Sequence, residues 1–147
     1  MTPPPPTATP DRLTLTPARA ELLAPLRQYL AARAEEFAFI PTDRLALLER
    51  FAAAIRARLD AGQPARVVAV CTHNSRRSFM AQLWLAAAGV HRGVDVRAYS
   101  AGTESTAFNP RAVASLRRAG FDIEQATDDA NPTYLARLAP ALPPVVC

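Results

Sequence analysis

Between Arg66 and Gly89 the sequence runs RVVAV, then CTHNSRRS, then a segment in which Met80, Leu83, Trp84 and Ala87 recur at helical spacing. The β-branched run is of the kind found in a buried parallel strand, and the three- and four-residue spacing is that of an amphipathic helix. Val94–Tyr99 (VDVRAY) alternates as a second strand, and Asn109–Ala119 reads as a second helix stopped by Gly120. Strand, helix, strand, helix in this order commits the segment to a small parallel α/β sheet with flanking helices and right-handed crossovers. After Phe121-Asp122-Ile123 the pattern thins. Asn131-Pro132 is expected to start a short helix through Leu138, prolines 140, 143 and 144 interrupt the chain beyond it, and Val145-Val146-Cys147 hints at another strand.

Upstream the periodicity is helical. Leu22, Leu26, Tyr29, Leu30, Arg33 and Phe37 form one stripe, with Pro25 near its start. Leu45, Leu48, Phe51, Ile55 and Leu59 form a second, with Thr42 as the expected N-cap and Gly62 where a C-terminal cap belongs. The pair reads as a helical hairpin that packs its apolar faces on the sheet. The expected organisation is a Pro/Thr tail without fixed structure over residues 1–15, a helical extension over 16–62 and an α/β domain over 65–147, incomplete at its C-terminus.

Composition excludes several classes. Half of the 147 residues are hydrophobic and a fifth are charged, the balance of a globular chain. No apolar run approaches the ~18–20 residues that cross a bilayer, and the proline-rich start is not a secretory signal. The two cysteines, Cys71 and Cys147, cannot build a disulfide framework and suit a reducing, cytoplasmic setting. The net charge is +4, yet all seventeen basic residues are arginines scattered along the chain without interleaved aromatics, so neither nucleic acid nor membrane is an expected partner. His73 and His91 have no metal-ligand spacing with either cysteine, so no metal or other cofactor is expected.

The chemistry concentrates in Cys71–Ser78. A loop that joins the carboxyl end of a strand to a helix lies where α/β sheets bind ligands. Successive N–H groups of such a turn converge on one point and make an anion nest, reinforced by the helix dipole. Arg77, six residues after Cys71, can return a planar guanidinium fork to an oxyanion. Cys71 at the edge of the nest is favoured as a thiolate, with Ser78 hydrogen-bonded to its sulfur.

VVAVCTHNSRRS (residues 67–78) resembles the phosphate-binding loop of the low-molecular-weight protein tyrosine phosphatases and of the arsenate reductases built on the same fold. The likeness continues through Tyr99–Glu104 (YSAGTE), Phe108–Val113 (FNPRAV) and Ala119–Ile123 (AGFDI), about 57 residues in all. With its helical extension the chain looks like a bacterial subgroup of that family. The resemblance implies that Cys71 is the nucleophile, that Arg77 binds the oxyanion and that Ser78 assists the thiol. It further implies that Asn74 orders the loop, that Thr72, His73, Ser75 and Arg76 wrap the substrate with it, and that Ser100 supports the loop from the next strand.

The sequence also departs from the family's pattern. Arg76 stands where many of these phosphatases carry a second cysteine, and His73 where they carry glycine. The family's leaving-group acid lies in an Asp-Pro pair, which this sequence lacks; Asp122, Asp128 and Asp129 are the nearest carboxylates on the C-terminal side. A loop without that acid forgoes ~10²–10⁴ in rate. The expected function is cysteine-dependent hydrolysis of phosphotyrosine-like monoesters, on a phosphoprotein or as a free oxyanion ester. One alternative is an arsenate reductase in which Cys147, thioredoxin or a small thiol resolves the intermediate. Another is a non-catalytic oxyanion- or phosphoprotein-binding module.

Overall fold

The computed structural model describes residues 20–104 and 106–147; the proline-rich tail lies outside the described residues. Helix α1 (Ala24–Ala34) passes through a 3-10 segment (Glu35–Phe39) to helix α2 (Thr42–Asp60). Strand β1 (Ala65–Cys71), helix α3 (Arg77–Arg92) and strand β2 (Val96–Gly102) then form one crossover unit, with β1 and β2 parallel from Ala65 opposite Val96 to Cys71 opposite Gly102. Helix α4 (Pro110–Arg118) leads to β3 (Asp122–Gln125), β4 (Tyr134–Arg137) and β5 (Val145–Val146).

The last three strands form a separate antiparallel sheet in the order β3-β4-β5. The short helix expected over residues 131–138 is therefore corrected to a strand. Tyr134 and Ala136 are buried on one side, an alternation of period two that tertiary packing selects over the helix-start signal of Asn131-Pro132. The strand expected at Val145-Val146 is present and pairs with Leu135 and Ala136.

A second correction concerns β1. Its β-branched run does not make a buried strand: Val68 is 56% exposed and Val70 66%. The sheet to which it belongs has two strands, and α3 packs on them. Burial consequently alternates along β1, with Val67, Ala69 and Cys71 the more covered set. At the start of α2, Pro41 takes the cap position and Thr42 becomes the first helical residue, with no side-chain cap bond.

The core lies where α1, α3 and α4 meet the antiparallel sheet. Leu26 of α1, Leu83 and Ala87 of α3, Leu116 of α4, Phe108 and Ala136 are essentially inaccessible to water. Trp84 stacks on Tyr29 at 5.5 Å and meets Phe121 edge-on at 4.9 Å, so one indole joins α1, α3 and the approach to β3. Phe108 is held between Phe79 at 4.4 Å and Tyr134 at 5.5 Å, which ties the start of α3 to β4. Of the expected helical stripes, the first reaches the core through Leu22 and Leu26, whereas the second leaves Leu45, Leu48 and Phe51 exposed and half-buries Ile55 and Leu59. Among the described residues no helix is long and apolar enough to cross a membrane.

Candidate active site

The loop of residues 72–76 leaves the carboxyl end of β1 and enters the N-terminus of α3. Its path needs one residue in the left-handed region, and that residue is Asn74 at φ 43°. Asparagine tolerates this conformation better than most side-chain-bearing residues. The loop is then tied on its outer side. The Thr72 carbonyl accepts from the Glu104 N–H at 2.9 Å and from Thr103 Oγ1 at 3.2 Å. The His73 carbonyl accepts from Thr106 Oγ1. Ser75 Oγ donates to the Ala107 carbonyl at 2.6 Å, and the Ser75 carbonyl accepts from the Asn109 N–H at 2.8 Å. Gly102 closes the arrangement, because a Cβ there would stand 2.6 Å from the Asn74 nitrogen and 2.9 Å from the Cys71 carbonyl oxygen.

With the carbonyls engaged outward, the amides turn inward toward sulfur. Cys71 Sγ lies 3.1 Å from Ser78 Oγ, which donates to Asn74 Oδ1 at 2.7 Å. A serine hydroxyl has one proton. While it is given to Asn74, Ser78 accepts from the thiol; once the thiol ionises, the same proton turns to the sulfur. That hydrogen bond is the main reason the Cys71 thiol falls from 9.0 to about 6; partial burial opposes the shift, and the N–H groups of Ser78, Ser75 and Asn74 add to it. The N-terminal end of α3 points the same way.

The sulfur opens on a cavity of about 590 Å³ lined by Cys71, His73, Ser75, Arg76, Arg77 and Thr106. The structure thus brings together Cys71, Ser78 and the loop residues His73 to Arg77. Thr72 is exposed and meets the rest through its carbonyl, outside this lining. Ser100 sits opposite Ala69 on β2 and faces a different cavity, of about 340 Å³, together with Asn74, Gln82 and Cys147. Cys147 is bonded through its backbone to Tyr134 at 2.8 and 2.9 Å. Burial pushes its thiol up to about 12.

Two site residues had no assignment from sequence. Thr106 lines the cavity and pins the His73 carbonyl, and Glu104 holds His73 Nε2 at 3.2 Å. Glu104 stands inside a recognisable motif but with no partner readable from spacing; Thr106 carries no sequence signal, since both depend on tertiary contacts with the loop at Thr72 and His73.

The two thiols should separate on titration. The sign comes from the shift: a depressed pKa keeps Cys71 ionised above about pH 6 and loses reactivity as the pH falls through it. Iodoacetamide at pH 7 is expected to label Cys71 and spare Cys147, with a labelling midpoint near pH 6 that Ser78→Ala moves upward. Mass spectrometry of the alkylated chain across pH 4–10 reads both, and equal labelling of the two cysteines at pH 7 would contradict it.

Comparison with known proteins agrees with this geometry. Residues 66–138 match the model of the low molecular weight phosphotyrosine protein phosphatase family. Over 60 residues, the chain is 47% identical to an arsenate reductase of Bacillus licheniformis and 42% identical to one of Bacillus subtilis, in each case 41% of this chain and 41% of the relative. An arsenate reductase of Staphylococcus aureus strain RF122 is 40% identical over 60 residues, 41% of this chain and 44% of that protein. The chain thus spans about two fifths of the length of the curated relatives it matches. No solved structure matches it. The matched segment takes in the strand-loop-helix nest around Cys71 and runs on through β4, and over residues 66–138 the chain belongs to the low-molecular-weight phosphotyrosine phosphatase and arsenate reductase family.

Proposed function

We propose that this chain is a cysteine-dependent phosphatase of the low-molecular-weight type, acting on phosphotyrosine-like monoesters through a thiophosphate on Cys71. The observation that carries the reading is the sulfur itself, held at 3.1 Å by Ser78 and faced by three backbone N–H groups at the mouth of a cavity lined by Arg77. Cys71 S⁻ attacks phosphorus, the P–O bond to the leaving group breaks, and the leaving oxygen takes a proton. The N–H groups and the Arg77 fork hold the equatorial oxygens as charge spreads over them. Water then attacks the thiophosphate and loses a proton to solvent, the S–P bond breaks with its electron pair on sulfur, and the Ser78 hydroxyl donates a hydrogen bond to the departing thiolate.

A second reading, arsenate reduction, is favoured by the names of the relatives and by the place of Cys147 in a cavity shared with Asn74 and Ser100. There Cys71 attacks arsenate, and a thiol displaces arsenite by forming a disulfide with Cys71. Cys147 is hindered in that role while its thiol stays buried and protonated, so an external thiol suits the step better.

A rapid-quench assay with an aryl phosphate near pH 5.5, counting phenol released per chain, tests the first reading. Continued release establishes a hydrolase, and one phenol succeeded by a stall establishes the nucleophile without turnover. No phenol, with arsenite formed from arsenate and a thiol, transfers the site to the second reading. Saturable vanadate binding with neither product would leave an oxyanion-binding module.

A further inference from the structure

Two arginines rather than one flank Cys71 in the candidate active site. Arg76 and Arg77 both line the 590 Å³ cavity beside Cys71, and neither is buried. Among the described residues neither side chain takes part in an ion pair or a hydrogen bond. Glu104, whose backbone N–H is tied to the loop at Thr72, has its carboxylate engaged with His73 at 3.2 Å. Nothing among the described residues therefore neutralises the two guanidinium groups.

They also leave the backbone at a junction. Arg77 is the first residue of α3, while Arg76 has φ −134° and ψ −74°, outside the helical region. Consecutive side chains at a helix start diverge rather than share a face. One fork that closes over the oxyanion at Cys71 leaves the other on the cavity wall. The cavity falls in the ~300–1,000 Å³ range of sites that enclose organic ligands, well beyond what a five-atom oxyanion occupies.

We propose that Arg76 is a specificity-determining residue that binds a second anionic group on the leaving-group side of the substrate, so that the site prefers phosphate monoesters of aryl groups bearing a carboxylate. This rests on the phosphatase reading of the site. The reacting phosphoryl group is held by the loop amides and Arg77; Arg76 contributes to the encounter and to orientation of the remainder, through a charge-assisted hydrogen bond.

The test measures kcat/KM with phenyl phosphate, 4-carboxyphenyl phosphate and its neutral isostere 4-carbamoylphenyl phosphate, for the full chain and for Arg76→Gln and Arg76→Glu. The isostere keeps the shape of the substituent and removes its charge, and as the better leaving group it biases the comparison against the expected preference. The full chain is expected to prefer the carboxylate over the carboxamide by about 10-fold or more, the scale of a charge-assisted bond. Arg76→Gln should bring that ratio near one, costing the carboxylate substrate more than phenyl phosphate or the carboxamide, and Arg76→Glu should invert it. Raised salt should shrink the preference in the full chain alone. Equal losses on all three substrates in Arg76→Gln would overturn the proposal, because Arg76 would then serve the reacting oxyanion. Phenol released from all three without preference would overturn it and leave the phosphatase reading standing. Absence of phenol from every substrate would overturn both. A parent-like circular dichroism spectrum and melting curve certify that the variants are folded.

Discussion

Cys71→Ser is expected to lower aryl phosphate turnover by about 10⁶-fold, to background, the scale on which loss of a nucleophile acts in hydrolases. The substitution nearly conserves volume at a half-buried position, so the fold should persist. What disappears is the ionised atom. The hydrogen bond from Ser78 and the amides of Asn74, Ser75 and Ser78 bring a thiol to about 6, and a hydroxyl starts far above the range from which the same groups can ionise it. The oxyanion nest does not depend on sulfur. Phosphate or vanadate should accordingly still raise the melting temperature of the variant, by the ~2.7 kcal/mol that a ligand at a hundred times its Kd supplies. Activity within 100-fold of the parent chain would move the nucleophile elsewhere; loss of the ligand-induced shift would show that Cys71 also builds the nest.

Gly120→Ala is expected to destabilise the chain by about 3–5 kcal/mol, through left-handed strain, backbone overlap and the core burial that depends on both. Gly120 has φ +103°, and a Cβ there would lie 2.3 Å from the Leu26 nitrogen and 2.6 Å from the Pro25 carbonyl carbon. Both are backbone atoms at the start of α1, so no side chain can swing away. Relief requires α1 to lift, and α1 is fixed by Leu26, which has no exposed surface, and by the bond from the Leu23 N–H to the Leu138 carbonyl at 2.8 Å. The chain's single tryptophan, Trp84, stacks on Tyr29 of α1, so its fluorescence reports the docking directly. The variant should melt ~10 °C or more below the parent with altered emission before the transition. A parent-like melting curve would mean that α1 is not held against residues 119–121 in solution.

The first helix was legible because Leu22 and Leu26 repeat at helical spacing, but Gly120 as its seat was not. In sequence that glycine reads as the stop of α4, and only the meeting of two elements far apart in the chain reveals its second constraint. Residues 66–89 were readable because strand, anion loop and helix are each encoded locally: the valines, the Cys71–Ser78 spacing, and the apolar face from Met80 to Ala87. The antiparallel sheet was not, since β3 and β4 are four residues each and gain their identity from pairing with one another. Exposure of Val68 and Val70 escaped for a related reason: β-branched content reports strand preference, whereas cover depends on what packs above. Within the site, the Cys71–Ser78 pair was readable from spacing in one loop. Thr106 and Glu104 were not, because they reach the loop from the segment after β2.

The contrast between the two sulfurs divides the chain's thiol chemistry unequally. One thiol is an unusually strong acid at about 6 and the other an unusually weak one at about 12. In thiol–disulfide exchange the sulfur with the lower pKa is the better leaving group. A mixed disulfide between Cys71 and an external thiol would therefore release Cys71 as the leaving thiolate, restoring the nucleophile. The burial that weakens Cys147 as an acid also screens it from attack, and its backbone is pinned to Tyr134. Exchange is thereby confined to the sulfur at the mouth of the cavity.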